Sequence, residues 1–262
     1  MYLSVWDTQR KFSQGSSANN HLIGEAAGVY IACSYFDGLP NATRWKDKAK
    51  AVLAEEILRQ SYPDGCTAEH AFGYQFFVVQ FFLFSALAGD ATGDTFSRQF
   101  LDRLHLMYRF LSDICADTGT LPNLGDADSG YVLDLGELPS QPGELISVAA
   151  RYFSDNALDR GPASETAFWI FGATPSHSEV LERPLASSAY PDSGYCIMRT
   201  GDNEKTRTRV SVFVDCAELG YGPIAAHGHA DCLSICMAVD ELPVFVDSGT
   251  YDYFTHPEWR EC

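Results

Sequence analysis

Residues 225–234, AAHGHADCLS, set His227 and His229 on either side of one glycine, with Asp231 two positions further on. On a strand, side chains two apart share a face, and two imidazoles on one face have the spacing that a metal ion needs. Across a turn the two rings would diverge. Asp247, in VFVDSGT, ends a neighbouring apolar run and could add a carboxylate, giving a set that suits zinc. The plainer reading is a glycine turn with hydrogen-bonded histidines. A second cluster, Asn19, Asn20 and His21, opens an apolar stretch in SSANNHLIGEA (16–26). Ser16, Ser17 and Asn19 suit helix capping. The same neutral donors at a positive helix end would also hold a carboxylate. The third cluster is DGCTAEHAFGYQ (64–75). It predicts Thr67 as a helix cap and Glu69 in the first turn, where the macrodipole favours an acid. Tyr74, taken alone, is a packing tyrosine on that helix.

The elements that must carry these residues fall into two groups. HLIGEAAGVYIACSYF (21–36) is apolar on nearly every face, and ATRWKDKAKAVLAEEILRQSY (42–62) is amphipathic at helical spacing. A third helix is expected from near Thr67 to about Ala88 and a fourth over 95–115, joined by short Gly/Asp/Pro links. A polar, glycine-rich loop (122–143) follows, then weaker helical pieces over 144–153 and 163–171. From residue 186 the pattern changes. DSGYCIMRTG (192–201), TRVSVFVDCAE (208–218), CLSICMAVD (232–240) and LPVFVDSGTY (242–251) read as strands of an antiparallel sheet. The expected organisation is a helical part over 1–180 and an all-β part over 186–262.

A net charge of −17 and the lack of any Lys/Arg run argue against nucleic acid as a partner. An anionic substrate would need local positive charge inside a cleft. The first residues, MYLSVWDTQRKF, lack a basic segment followed by an apolar core, so they do not read as a signal peptide. FFVVQFFLFSALA (76–88) is too short to span a bilayer and reads as a buried helix. The eight cysteines are scattered without a CxxC and read as free, mostly buried thiols.

Four blocks, in order, resemble the heparinase II/III family of polysaccharide lyases: SSANNHLIGEAAG (16–28), DGCTAEHAFGYQ (64–75), DSGYCIMRTG (192–201) and the stretch from DCAELGYGPIAAHGHADCLS to FVDSGTYDY (215–253). The resemblance implies an α-then-β fold, an incomplete (α/α) toroid of helical pairs followed by the start of an antiparallel β-sandwich. It implies β-elimination on an acidic polysaccharide, of the heparan-type glycosaminoglycan or alginate-type polyuronate class. The C5 proton of a uronate is taken, the C4–O bond breaks and a C4=C5 double bond remains. Carried over by motif, Asn20 and His21 would neutralise the uronate carboxylate, Tyr74 would act as base, acid or both, and His227 would complete the site. Tyr251 or Tyr253 would add a second phenol. His229 and Asp247 would be ligands of a structural zinc. Location in the periplasm or outside the cell is implied in the same way.

The chain departs from the family pattern at several points. The family's third zinc ligand falls beyond PEWREC, with His256 as the nearest substitute. Gln75 stands where a histidine is expected. Few residues precede the SSANNH block, so the resemblance implies a partial chain. Two other readings stay open: a metal-dependent hydrolase centred on His227, His229, Asp231 and Asp247, and a carbohydrate-binding chain without activity.

Overall fold

The computed structural model describes residues 1–15, 18–127, 130–133, 141–158, 164–172, 185–200 and 208–250. Its helices are α1 (Tyr2–Thr8), α2 (Asn20–Tyr35), α3 (Ala42–Arg59), α4 (Phe72–Ala91), α5 (Arg98–Ile114), α6 (Pro142–Phe153) and α7 (Glu165–Phe171). The strands are β1 (Ser188–Tyr190), β2 (Tyr195–Arg199), β3 (Val210–Asp215), β4 (Ile235–Val239) and β5 (Leu242–Phe245). The expected order of helices then strands holds. Only α1 and β1 lacked a periodic signal long enough to announce them.

Helix starts follow side-chain chemistry. Asn19 accepts from the His21 N–H at 3.1 Å to cap α2, and Ser97 accepts from Phe100 N–H at 3.3 Å to cap α5. The apolar α4 is, by length and composition alone, long enough to cross a membrane, yet most of it is buried in this fold. It lies against α2 so closely that a Cβ on Gly24 would sit 2.9 Å from Phe81 Cζ.

One expected boundary fails. α4 begins at Phe72 with Ala71 as its N-cap, not near Thr67. Thr67 instead pairs with Ser61 in a short antiparallel bridge. The cause is Gln75, which is fully buried, accepts from the Thr67 N–H and donates to the carbonyls of Gly65 (3.2 Å) and Met107 (3.3 Å). The first helical N–H, that of Phe72, donates to the Leu124 carbonyl at 3.0 Å. Glu69 therefore lies in the turn ahead of the helix. The thiols also differ from expectation: Cys33, Cys66 and Cys115 are buried, whereas Cys216 and Cys232 are exposed.

The five strands pair antiparallel in the order β1-β2-β3-β4-β5. Alternation along β2 and β3 turns Tyr195, Ile197 and Phe213 inward. There they meet the helices. Phe72 of α4 packs edge-on to Phe213 at a ring separation of 5.6 Å and against Tyr195 at 5.2 Å. Helices and sheet thus share one core. A buried ion cluster reinforces the joint: Arg199 of β2 reaches Asp113 at 2.9 Å and Asp117 at 2.8 Å at the end of α5. Removing one member of such a cluster leaves buried charge unpaired. Arg199→Ala is therefore expected to cost about 3–5 kcal/mol in a urea unfolding experiment.

Candidate active site at the helix–sheet joint

The site is built where the starts of α2 and α4 meet the loop between β3 and β4. Asn20, the first residue of α2, is buried. Its backbone N–H donates to Glu69 Oε1 at 3.0 Å and its side-chain Nδ2 donates to Glu69 Oε2 at 2.9 Å. His227 Nε2 lies 3.3 Å from the same Oε2. Tyr74, in the first turn of α4, packs against His227 with tilted rings whose centroids are 3.9 Å apart and is only 6% exposed. Asn20 and His227 thus meet at one carboxyl group, and Tyr74 packs on the His227 ring. His21 follows Asn20 but is exposed at the helix start. Tyr251, Tyr253 and His256 lie outside the described residues, as do Ser16 and Ser17.

The turn carrying Glu69 is held from behind. His70 adopts φ 52° and is buried between two phenols, Tyr62 at 3.0 Å from Nε2 and Tyr195 at 3.2 Å from Nδ1. Burial holds its imidazole below the usual histidine range, so it serves as a neutral bridge. At the rim, the Arg59 guanidinium pairs with Glu56 and donates to Tyr221 Oη at 3.3 Å and to the Ala18 carbonyl at 3.0 Å. It brings a cation beside the start of α2.

His227 and His229 do not share a face. Their segment is a turn, not a strand, with Ala225 at φ 48° and His227 at φ 64°. The glycine between them is required by close approach, because a Cβ on Gly228 would lie 1.9 Å from the Leu219 carbonyl oxygen. The turn is fastened to the glycine-rich loop of the helical part. Asp126 N–H donates to the His227 carbonyl at 2.7 Å, and Gly125 N–H donates to Asp231 Oδ2 at 2.6 Å. The rings diverge as a result, His227 toward Glu69 and His229 toward two other carboxylates.

His229 Nε2 is 2.9 Å from Asp247 Oδ1. Its Nδ1 is 3.1 Å from Asp231 Oδ2, within ion-pair range but without hydrogen-bond alignment. Asp247 also accepts from Ser234 Oγ at 3.0 Å and from Gly249 N–H at 2.8 Å. Burial raises its pKa, but the Gly249 N–H, His229 and Ser234 outweigh that and hold it below the usual carboxylate range. An imidazole presenting one nitrogen beside a carboxylate donor, with its other nitrogen backed by a second carboxylate, fits two zinc ligands and an orienting partner. Among the described residues, no set of three His, Cys, Asp or Glu side chains is placed to hold a metal. The hydrolase grouping of His227, His229, Asp231 and Asp247 is not formed, because His227 faces away to Glu69.

Glu69 is the residue that sequence reasoning undervalued. Its side chain is fully buried, and burial pushes its carboxyl up to about 7 against the lowering effect of the Asn20 donors. The sign of the linkage is definite. Below about pH 4.5 the carboxyl is protonated in both folded and unfolded chains. From there to about pH 7 the folded chain keeps a proton that the unfolded chain has lost, so stability falls by about 3 kcal/mol as pH rises. Melting curves over that window should show this slope in the native chain and a shallower one in Glu69→Gln.

Comparison with known proteins agrees with this architecture. Residues 2–135 match the family described as Heparinase II/III N-terminus, and residues 182–262 match Heparinase II/III-like, C-terminal. A solved heparinase III with methylated lysines is 22% identical with a TM-score of 0.68, covering 98% of this chain and 36% of its own. The heparan sulfate lyase of Pedobacter heparinus is 18% identical with a TM-score of 0.68, covering 98% of this chain and 37% of its own. Another heparinase III is 16% identical with a TM-score of 0.64, covering 93% and 37%. Likeness at these identities establishes the fold, a toroid portion followed by an antiparallel sheet. The chain spans little more than a third of the length of these structures. No curated protein matches its sequence.

Proposed function

The chain belongs to the heparinase II/III family, and on that footing we propose that it carries the active centre of a polysaccharide lyase that cleaves a uronate-containing polymer by β-elimination. The observation that supports this most is that Asn20, Tyr74 and His227, from two helix starts and one inter-strand turn, are joined in one chain of contacts, Asn20 and His227 through Glu69 and Tyr74 through the His227 ring. A C5 proton is only weakly acidic. Donors on the uronate carboxylate stabilise the enolate-like charge that builds as the proton leaves. Asn20 supplies an N–H for this, and exposed His21 a second donor from the same helix start. Tyr74 takes the C5 proton or delivers one to the departing C4 oxygen. A phenol with a pKa of ~10 is a weak base and needs neighbouring donors or positive charge to act as one, and Tyr74 has the start of α4 and the His227 ring beside it. His229 and Asp247 are proposed as two ligands of a structural zinc completed from outside the described residues. That metal would supply folding energy to the turn rather than reaction chemistry. Metal analysis and a chelator-induced fall in melting temperature test this assignment.

The decisive assay follows the ultraviolet absorbance of an unsaturated uronate. Alginate, heparan sulfate, heparin, chondroitin and polyglucuronate are presented in turn to the chain and to a version extended at both ends from its native locus. Absorbance growth on a polymer establishes the lyase reading and names the substrate. Growth with the extended version alone assigns activity to the longer protein. No growth with either removes the reading in favour of a carbohydrate-binding role.

A further inference from the structure

The mechanism above leaves Glu69 without a part, although Asn20 and His227 of the site both contact it. We infer that Glu69 is a positioning residue, whose single carboxyl group fixes Asn20 of the helical part and His227 of the sheet-side turn in one arrangement. Its role in turnover rests on the lyase reading, but the tether itself does not.

The geometry is specific. Oε1 accepts the Asn20 backbone N–H at 3.0 Å, while Oε2 accepts Asn20 Nδ2 at 2.9 Å and faces His227 Nε2 at 3.3 Å. Ionised above about pH 7, the carboxylate only accepts, so the bond to Nδ2 decides which way the Asn20 amide points. One hydrogen of that amide is committed to Glu69, and the other remains for a substrate oxygen. The contact with Nε2 likewise favours the proton on that nitrogen of His227 and thereby sets the character of Nδ1. The carboxyl cannot drift, since its turn is locked by the Tyr62–His70–Tyr195 bridge. A buried acid is costly where a neutral residue would serve. Glutamine has the same shape but a single acceptor, and its NH₂ would confront either the Asn20 backbone N–H at the Oε1 position or both Asn20 Nδ2 and His227 Nε2 at the Oε2 position, donor against donor. Only the carboxylate satisfies every neighbour.

Two readouts test this, using the chain and the polymer on which it is most active. Glu69→Gln should lower kcat by about 100-fold, the typical effect of a small misplacement of reacting groups, with KM changed less than about threefold. A merely structural acid would instead lower stability and leave the turnover of folded enzyme intact. In a double-mutant cycle on melting temperature, Glu69→Gln combined with Asn20→Ala should melt near the weaker of the two single variants. Additive losses, or a kcat within about threefold of native, overturn the inference. If Glu69→Gln does not fold, Glu69→Asp, which keeps the charge but withdraws it by a methylene, carries the same expectation. Silence of both the chain and its extended version on every polymer would remove the lyase reading and the role in turnover, while the cycle still decides the tether.

Discussion

Tyr74→Phe should reduce formation of the unsaturated product by about 10²–10⁴-fold while the fold survives, the range that a positioned acid–base group contributes. The substitution deletes one oxygen from a side chain whose ring already packs against His227 at 3.9 Å. The ring stays, so the packing stays, and the cost to stability should be about 1 kcal/mol. Activity and melting temperature should therefore separate sharply in one variant. The measurement is initial rate at saturating polymer beside a thermal melt of the same sample. A rate within about threefold of native would remove Tyr74 from proton transfer and shift attention to Tyr251 and Tyr253.

Asn20→Ala should cost about 10²–10³ in kcat, as loss of a donor to developing negative charge does elsewhere. The effect should fall on kcat more than on KM, since the donor matters most as charge builds on the carboxylate. The variant keeps the backbone N–H bond to Glu69 but loses the 2.9 Å bond from Nδ2, so a stability loss of about 1–2 kcal/mol should accompany it. Steady-state kinetics on the preferred polymer separate the two constants. A raised KM with native kcat would make Asn20 a ground-state binding residue only.

Much of the fold was legible because it is written in periodicity. The helices around Trp45 and Phe100 and the alternating strand at Val210–Asp215 declare their inward faces residue by residue. Asn20, Tyr74 and His227 were legible only as members of quoted motifs, because nothing in their spacing says that three distant segments meet. The failures have a common cause in tertiary contacts. Thr67 looks like a cap, but the side chain of Gln75 claims its N–H. Glu69 looks like a dipole-favoured acid, and burial beside Asn20 gives it a different task. His227 and His229 look like a same-face pair, but left-handed backbone at His227 and the crowding at Gly228 turn them apart. The loop carrying Gly125 and Asp126 read as a polar linker, yet its backbone fastens the histidine turn to the helices.

The aromatic joint among Phe72, Phe110, Tyr195 and Phe213 has a consequence for how the molecule comes apart. The sheet contributes its inward residues to the helices' core rather than to a core of its own. It should not behave as an independent cooperative unit. Amide hydrogen exchange should give the protected amides of β2 and β3 the same opening free energy as those of α4, and both should report global unfolding. The two halves of the proposed site would then be lost in one event, so no partly opened state would keep Asn20 and Tyr74 in place while releasing His227.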